Sequence, residues 1–295
     1  MRTVKVGSRE SRLAIVQSGL IINAIRRAHP EIKTELIPMK TTGDRIRDRP
    51  LEAIGGKGLF VKELDEALLD GRVDICVHSY KDMPVPGNPE LPVIAVFERE
   101  DPRDILVLPE GLGGIPEGLP LGTSSPRRRL QMAMLHPERR CEPVRGNIPT
   151  RLRKLDAGEY GALVLAAAGI KRLGLWERVN KVFSVEEVIP AACQGMLAIQ
   201  GRAGEEHPYL EALDNADAHD ASMAERAFVE ALGAGCTSPV AAFAEVRGGE
   251  MLLSGLYADE AGHVHRGKKA GSRAGAAALG RELAEALRRG DHGNG

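Results

Sequence analysis

The sequence predicts an α/β protein with a small α+β region at its C-terminal end. Short apolar runs rich in Val and Ile alternate with amphipathic stretches through the first two-thirds of the chain. After about residue 216 the pattern changes to a helix, alternating strands and an Ala-rich closing helix. A chain of 295 residues is long enough for two or three domains, since cores rarely grow far beyond roughly 250 residues before splitting.

The first α/β region runs from the N-terminus to about residue 98. Its predicted strands are VKVGS, ELIPM, VDICVHS and LPVIAVF, and its predicted helices are residues 11–28 and 60–69. Val- and Ile-rich runs bounded by turns are typical of strands buried on both faces of a mainly parallel sheet. We therefore expect ligands at the loops beyond the carboxyl ends of these strands.

A second α/β region begins near Asp101. DILVLP, LGTSS, CEPVRGN and GALVLAAAG are its predicted strands, and residues 126–135 and 149–157 its predicted helices. The C-terminal region starts with a helix over 222–232, followed by strands near AAFAEV, MLLSGLYAD and HVHRGKK. The Gly- and Pro-rich stretch 109–120 is predicted to be a surface loop.

Composition and spacing exclude several classes of protein. No stretch approaches the ~18 uninterrupted apolar residues of a membrane span, and the N-terminal residues lack the pattern of a secretory signal, so we expect a soluble cytoplasmic protein. The four cysteines are scattered without CxxC pairing, which predicts neither a disulfide framework nor a metal site. A net charge of −1 and an aromatic content of 3% disfavour nucleic-acid binding.

Arginine is concentrated in the middle of the chain. From Arg99 to Arg153 there are ten arginines and no lysine, against seven acidic residues. The planar guanidinium binds carboxylate or phosphate through paired hydrogen bonds, although a solvated helix face is the alternative interpretation. Three predicted strand–helix junctions, GSRESR, LGTSSPRRR and VRGNIPTR, combine arginines with hydroxyl or amide groups and with a helix N-terminus. Their candidate ligand-binding residues are Arg9, Ser11, Arg12, Thr123, Ser124, Ser125, Arg127, Arg128, Arg145, Gly146, Asn147, Thr150 and Arg151. Three basic junctions predict a ligand with several negative groups.

A polar cluster ends the strand VDICVHS, where His78, Ser79, Lys81 and Asp82 precede two prolines. Catalytic residues of α/β enzymes commonly lie at such strand ends. Asp82 in an ion pair with Lys81, and His78 as a satisfied core histidine, are the structural alternatives. We predict Asp82 as the catalytic group, because an ionised carboxylate can stabilise a cation or relay a proton.

Cys236 lies in the glycine-rich turn LGAGCTSP, where an exposed thiol can react, whereas Cys76 lies in an apolar strand and is predicted to be a core residue. The glycine cluster 55–60 lacks the GxxxxGK[ST] spacing of a phosphate loop. It is predicted to form a flexible loop in which Lys57 can bind an anion and Phe60 can pack against an aromatic ring.

Eight ordered motifs between about residues 6 and 240 resemble the porphobilinogen deaminase family, also called hydroxymethylbilane synthases. The motifs are TTGD (41–44), GGKGLFVKELDEALL (55–69), HSYKDMP (78–84), EREDPRD (98–104), GTSSPRR (122–128), RGNIPTRLRKLD (145–156), AAGIKRLG (167–174) and GCTSP (235–239). The resemblance implies two periplasmic-binding-protein-like α/β domains with a cleft between them and a small C-terminal α+β domain. The implied boundaries are 1–98 with 196–214 for domain 1, 99–195 for domain 2 and 215–295 for domain 3.

The same resemblance implies an activity and a cofactor. Members of the family are transferases that join four porphobilinogen molecules, with loss of ammonia from each, into the linear tetrapyrrole hydroxymethylbilane. The chain grows on a dipyrromethane cofactor held by a thioether, here to Cys236, and Asp82 matches the catalytic aspartate. The implied cofactor contacts are Ser79, Lys81, Thr123, Ser124, Ser125, Arg127, Arg128, Gly146 and Asn147. The implied substrate contacts are Arg9, Ser11, Lys57, Phe60, Arg145, Arg151, Arg172 and Gln194. The family also suggests a monomer, and the composition predicts neither a membrane nor a nucleic-acid partner.

Four residues depart from the family's usual pattern. Pro126 replaces Leu, Ala53 replaces Lys, Cys193 replaces Gly, and Gln200 stands where an acidic residue is common. Cys193 also supplies the one rival thiol to Cys236 as an attachment point. The rival class of protein is a non-enzymatic polycarboxylate-binding protein of solute-binding type, which predicts no covalent adduct and no need for Asp82.

Overall fold

A computed structural model describes residues 3–41, 43, 61–234 and 238–290. The strands are β1 (Thr3–Arg9), β2 (Lys33–Met39), β3 (Ile75–Ser79), β4 (Val93–Phe97), β5 (Asp104–Val107), β6 (Leu121–Gly122), β7 (Cys141–Glu142), β8 (Ala162–Ala166), β9 (Lys181–Val182), β10 (Leu197–Gln200), β11 (Val240–Arg247), β12 (Glu250–Ala258) and β13 (Val264–Ser272). The α-helices are α1 (Arg12–Ala28), α2 (Lys62–Leu69), α3 (Pro126–Leu135), α4 (Ile148–Asp156), α5 (Ala167–Arg172), α6 (Ala216–Ala231) and α7 (Ala276–Arg288).

The chain divides into two compact units. Unit 1 comprises residues 1–100 and 196–219, and unit 2 comprises residues 101–195 and 220–295. Each unit contains one five-stranded sheet flanked by helices, and unit 2 also contains a three-stranded sheet. The boundaries predicted for three separate domains stay a prediction.

The sheet of unit 1 has the strand order β2-β1-β3-β10-β4. Strand β1 is parallel to β2 and β3, whereas β10 is antiparallel to β3 and β4. On one face, Ile21 and Ile25 of α1 belong to a core cluster with residues of β1 and β3. On the other face, Leu64 and Leu68 of α2 pack with Cys76, so Cys76 is a core residue as predicted.

The first sheet of unit 2 repeats this arrangement. Its order is β7-β6-β8-β5-β9, with β6 parallel to β7 and β8, and β5 antiparallel to β8 and β9. In each unit, the strand that is antiparallel to its neighbours is the first one after the chain crosses from the other unit. Strand β5 of unit 2 follows residue 100, and strand β10 of unit 1 follows residue 195. Two α/β sheets of equal topology confirm the predicted fold class for this part of the chain.

The C-terminal region is an antiparallel sheet, β11-β12-β13, with α7 packed against β12 and β13. Gly255 and Gly267 make room for the helices on this sheet. A Cβ at Gly255 would meet Phe228 of α6 at 2.6 Å and Leu283 of α7 at 3.1 Å, and one at Gly267 would meet Leu287 of α7 at 2.9 Å. The predicted small α+β region is confirmed.

Some predicted element boundaries were wrong. The stretches LGTSS and CEPVRGN contain only the two-residue strands β6 and β7, because their polar residues form the loops that precede α3 and α4. Helix α6 begins at Ala216, six residues before the predicted start. Helix α3 spans the predicted residues. Within the described ranges, no helix combines the length and apolarity needed to cross a bilayer.

Candidate active site

The junction between β1 and α1 places Arg9 and Ser11 at one edge of the unit 1 sheet. Arg9 is the last residue of β1 and is half-buried. Ser11 has extended backbone angles and caps α1, since its Oγ accepts a hydrogen bond from the Ala14 N–H at 3.3 Å. This bond satisfies one of the N–H groups that a helix start leaves without an intrahelical partner.

Asp82 ends a short 3-10 turn, Tyr80–Asp82, that follows β3 directly. The Tyr80 N–H donates to the carbonyl of Met196 at 3.1 Å, and the side chains of Tyr80 and Met83 are buried. Asp82 itself is exposed. Buried neighbours on both sides therefore fix the turn and leave the carboxylate accessible.

These two chain segments line one cavity of about 80 Å³ in unit 1. It lies where parallel strands β1 and β3 end, which is the expected edge for a ligand site. Four predicted site residues, Arg9, Ser11, Ser79 and Asp82, are brought together here. Its other lining residues are Leu13, Ala14, Gln17, Val61, Val77, His78 and Met83. Lys81 belongs to the same turn but is not among the lining residues.

Two cavity residues were not predicted as site residues. Gln17 is buried; its Nε2 donates to Ser79 Oγ at 2.8 Å, and Ser79 Oγ lies 3.2 Å from Gln17 Oε1. The signal for Gln17 was its helical spacing, since Ala14, Gln17 and Ser18 share the buried stripe of α1. For His78, the sequence favoured a core histidine with its hydrogen bonds satisfied. In the structure, its Nε2 is buried but has no hydrogen-bond partner among the described residues.

In unit 2, the loop between β6 and α3 is fixed by its own hydroxyl groups. Ser125 caps α3, its Oγ accepting from the Arg128 N–H, as predicted from Pro126 in the first turn. Thr123 Oγ1 accepts from the Ser125 N–H at 3.2 Å. Ser124 Oγ donates to the Val144 carbonyl at 2.7 Å and accepts from the Val144 N–H at 3.1 Å. The Ser124 bonds tie this junction to the one that precedes α4.

Arg127 and Arg128 were predicted to meet an anionic ligand, but the structure gives their guanidinium groups an intramolecular partner. Both side chains are buried and form ion pairs with Asp104, at 2.6 and 2.7 Å. Gln194 Nε2 donates to the same carboxylate at 3.0 Å, and Arg127 also donates to the Ile189 carbonyl at 2.7 Å. Burial alone would raise the pKa of Asp104, but the two guanidiniums outweigh it and hold that pKa well below its usual value.

The junction before α4 carries Gly146, Asn147 and Arg151. Asn147 Oδ1 accepts from the Thr150 N–H at 3.0 Å and caps the helix. Gly146 has φ +110°, and a Cβ there would meet Thr150 at 2.7 Å, so only glycine suits this position. Arg151 Nε donates to the Gly146 carbonyl at 2.8 Å. Arg145 is half-buried in the same loop.

Two further predicted residues, Arg172 and Gln194, lie next to Gly195, the last residue before the chain leaves unit 2. Arg172, the last residue of α5, donates to the Gly195 carbonyl at 2.6 Å. Gln194 is fully buried in the Asp104 cluster. Its neighbour Cys193 is buried and has a left-handed backbone, φ 60°. The Cys193 N–H donates to the buried carboxylate of Glu225 at 2.5 Å, so α6 holds this segment in place.

Three predicted site residues, Lys57, Phe60 and Cys236, lie outside the described residues. Within the described part of the chain, no three His, Cys, Asp or Glu side chains are arranged to hold a metal ion. The three described cysteines, Cys76, Cys141 and Cys193, form no disulfide.

Comparison with known proteins assigns the chain to a family. The model of the porphobilinogen deaminase dipyrromethane cofactor binding domain matches residues 4–209, and that of the porphobilinogen deaminase C-terminal domain matches residues 220–289. The chain belongs to the porphobilinogen deaminase family. The resemblance predicted from the eight motifs is thereby confirmed.

Relatives named porphobilinogen deaminase match nearly the whole chain. The protein of Ruminiclostridium cellulolyticum is 52% identical over 289 residues, covering 97% of this chain and 98% of the relative. That of Acetivibrio thermocellus is 50% identical over 287 residues, with the same coverage. The protein of Roseiflexus castenholzii is 44% identical over 97% of this chain and 95% of its own length.

Matches to solved structures are more distant. The periplasmic VFT2 domain of Bordetella pertussis BvgS has a TM-score of 0.41 at 12% identity, covering 72% of this chain and 84% of that domain. A reduced form of OxyR from N. meningitidis has a TM-score of 0.42 at 15% identity, covering 72% of this chain and 92% of OxyR. Scores this low carry no argument about function.

Proposed function

We propose that this chain catalyses the stepwise condensation of four porphobilinogen molecules, with loss of ammonia from each, to hydroxymethylbilane. This is a transferase reaction of tetrapyrrole biosynthesis. The observation that carries the proposal is the unit 1 cavity, where Asp82 lies with Arg9 and two hydroxyl-bearing residues in a chain of this family. Our predictions that the protein is a monomer and works in the cytoplasm belong to the same proposal.

Asp82 is the proposed catalytic residue. Positive charge develops on the pyrrole of the substrate as ammonia leaves, and a carboxylate beside that ring lowers the energy of the charged state. Because Asp82 is exposed on a turn held by buried neighbours, it can approach the substrate without rearrangement of the core.

The acetate and propionate groups of porphobilinogen require cationic and hydrogen-bonding partners. We assign Arg9 and Ser11 to these groups in unit 1, and Arg145, Arg151 and Arg172 in unit 2. A guanidinium can bind a carboxylate with two parallel hydrogen bonds. Gln194, Lys57 and Phe60 complete the proposed substrate set.

The described residues fit a dipyrromethane cofactor, which when bound supplies the terminal pyrrole carbon that accepts the first substrate. Its carboxylates suit hydroxyl and amide donors, and we assign it Ser79, Lys81, Thr123, Ser124, Ser125, Gly146 and Asn147. Arg127 and Arg128 are retained in this set, although the Asp104 cluster already uses most of their N–H groups. Arg127 Nε is buried and has no partner among the described residues. A cofactor carboxylate would reach this atom only if the residues that cover it moved.

Cys236 is the proposed attachment point of the cofactor. Support comes from its rival, because Cys193 is buried with 1% of its surface exposed, in a segment pinned by Glu225. A thioether at Cys193 would require that segment to open.

Intact mass spectrometry of the purified protein tests the attachment. We expect a mass above that of the polypeptide by two pyrrole units in the wild type and in Cys193→Ser, and the bare mass in Cys236→Ser. An adduct retained in Cys236→Ser would move the attachment to another residue. A bare wild-type mass would favour a non-enzymatic polycarboxylate-binding protein.

Asp82→Asn tests the catalytic assignment. Loss of one preorganised charge from a reacting centre typically costs about 100- to 1,000-fold in turnover, and we expect at least this loss in porphobilinogen consumption. The unfolding midpoint should stay unchanged because the side chain is exposed. Asp70→Asn, a second exposed carboxylate of unit 1 paired with Arg72, is the matched control. Near-normal turnover in Asp82→Asn would remove Asp82 from the mechanism.

A further inference from the structure

Two buried polar atoms without partners lie on the same face of the unit 1 sheet. His78 Nε2 and Gln200 Oε1 have no hydrogen-bond partner among the described residues, and their side chains are 6% and 2% exposed. Strands β3 and β10 are antiparallel neighbours in which Gln200 lies opposite Cys76, so His78 and Gln200 are diagonal. Diagonal cross-strand residues lie about 7–8 Å apart, and this distance is within reach of long side chains.

The orientation of the Gln200 amide decides which group it can pair with. Its Nε2 donates to the Leu91 carbonyl at 3.0 Å, so the nitrogen is committed to that side and Oε1 is the acceptor that remains. An imidazole N–H is the complementary donor. A hydrogen bond from His78 Nε2 to Gln200 Oε1 would satisfy both buried atoms, which otherwise cost free energy when left unpaired. It would also place the ring proton on Nε2 and leave Nδ1 as an acceptor.

The surroundings of His78 favour an uncharged ring. Arg9 faces it from the end of β1, Asp82 lines the same cavity, and Asp65 of α2 interacts with the Gln200 side chain. Burial lowers the pKa of His78 to about 4, Gln200 opposes this decrease and the Arg9 cation adds to it. Burial also raises the pKa of Asp65, an effect that Gln200 opposes. The ring is therefore neutral near pH 7.

We propose that Gln200 holds His78 as a neutral imidazole with its proton on Nε2, so that Nδ1 accepts a hydrogen bond from a substrate pyrrole N–H in the cavity beside Asp82. This inference rests on the proposed function. A ligand with more than one pyrrole ring brings more than one N–H, and each needs an acceptor once it leaves water. A neutral acceptor does so without repelling the positive charge that develops near Asp82, as a protonated ring would.

Nuclear magnetic resonance of protein labelled with ¹⁵N-histidine tests the ring state directly, without substrate. His78 is assigned by the signal missing from His78→Gln. We expect the neutral ring with the proton on Nε2, and no protonation above about pH 5. A ring with its proton on Nδ1, or one that titrates near the ordinary histidine value of about 6.5, would overturn the pairing.

Gln200→Glu tests the influence of Gln200 on activity. A carboxylate can accept the same hydrogen bond but favours the protonated ring, in which Nδ1 carries a proton and cannot accept. We expect the acid limb of the pH profile of kcat/KM to move up by about one pH unit or more, with kcat/KM recovering towards the wild-type value at alkaline pH. Asp65→Asn combined with Gln200→Glu keeps the number of carboxylates constant and should show the same shift. An acid limb at the wild-type position in both variants, with His78 protonated at higher pH in the resonance spectra, would overturn the role of Nδ1.

His78→Phe fills the space of the ring but offers no acceptor. We expect kcat/KM to fall roughly 10- to 100-fold, the usual consequence of one unsatisfied buried donor, mainly through KM. His78→Asn, whose amide can occupy the region of Nδ1, should restore part of the loss. His219→Gln, at a half-buried histidine of unit 1 outside the cavity, should change nothing. Equal losses in Phe and Asn variants that both fold would argue against the inference. If the Phe variant does not fold, Gln200→Glu decides.

Failure of this inference is distinguishable from failure of the proposed function. Porphobilinogen consumption by the wild type is measured first and tests the function alone. The ring state of His78 is read without substrate and tests the pairing alone.

Discussion

In unit 1 the first strand–helix junction has Arg9 before the N-cap Ser11 and the exposed Arg12 after it. In unit 2, Arg127 and Arg128 follow the N-cap Ser125 and are buried. The two sheets have the same topology, so these junctions occupy equivalent places. Arg9 ends a strand at the sheet edge and lines the candidate cavity. The unit 2 pair lies on the helix face that packs against the sheet and binds Asp104 instead.

What the side chain of a junction arginine can reach therefore depends on whether it lies at the strand end or on the buried face of the helix. Arg127 and Arg128 are followed four residues later by Gln131 and Met132, and these four are the buried residues of α3. Residues four apart share one helix face. The helical spacing thus indicates a buried arginine pair, whereas their proximity to a helix N-terminus alone suggested an anion site.

The largest expected effect comes from breaking the buried cluster of unit 2. Asp104→Asn leaves two buried guanidiniums without a counter-charge, and removal of one partner from a buried ion pair costs about 3–5 kcal/mol in the free energy of unfolding. Denaturant unfolding measures it. Asp156→Asn is the matched control, since its bidentate pair with Arg178 is nearer the surface and should cost less than about 1 kcal/mol. Similar values for the two variants would show that the comparison of junctions is wrong.

The pH dependence of stability tests the same buried ion pairs of Asp104. The pKa of Asp104 lies well below its usual value in the folded protein, and an unfolded Asp titrates near 3.9. The unfolded chain therefore takes up the proton first, and the contribution of Asp104, complete above about pH 5, is lost as the pH falls below about 4. We expect the wild type to lose up to about 1.4 kcal/mol per pH unit more than Asp104→Asn in this range. Parallel curves would exclude Asp104 as a source of acid sensitivity.

Removing the N-cap of either junction should lower the free energy of unfolding by a similar amount, but the two changes should affect function differently. Ser11→Ala and Ser125→Ala each remove one cap, worth about 1 kcal/mol, whereas the corresponding Gly variants should lose only a few tenths. Ser11 also lines the cavity, so Ser11→Ala should raise KM for porphobilinogen. Ser125→Ala should instead lower the fraction of protein that carries the cofactor adduct, read by intact mass. The same functional change in both variants would contradict the separate assignments.

Local chemistry was predictable from the sequence, and long-range partners were not. The helix that starts at Pro126 and its serine cap follow from residues within one turn, and both are confirmed. The partner of Arg127 lies 23 residues away on β5, a strand that runs antiparallel in a sheet predicted to be mainly parallel. The Gln17–Ser79 pair likewise depends on how α1 packs over β3. Predicting such contacts requires knowledge of the strand order, and hydrophobic periodicity does not give that order.

Cys193 offers the smallest and most specific test of the unit 2 cluster, because it directly precedes Gln194, whose Nε2 donates to the Asp104 carboxylate. Its left-handed backbone, φ 60°, costs a non-glycine residue roughly 1–2 kcal/mol. At ordinary positions alanine is more stable than glycine by roughly 0.5–1 kcal/mol. Here the order should reverse, so that Cys193→Gly has a higher free energy of unfolding than Cys193→Ala by about 0.5–1 kcal/mol. Denaturant unfolding of the two variants measures the difference. If the alanine variant were the more stable one, the segment could relax out of the left-handed conformation, and Glu225 would not hold it there.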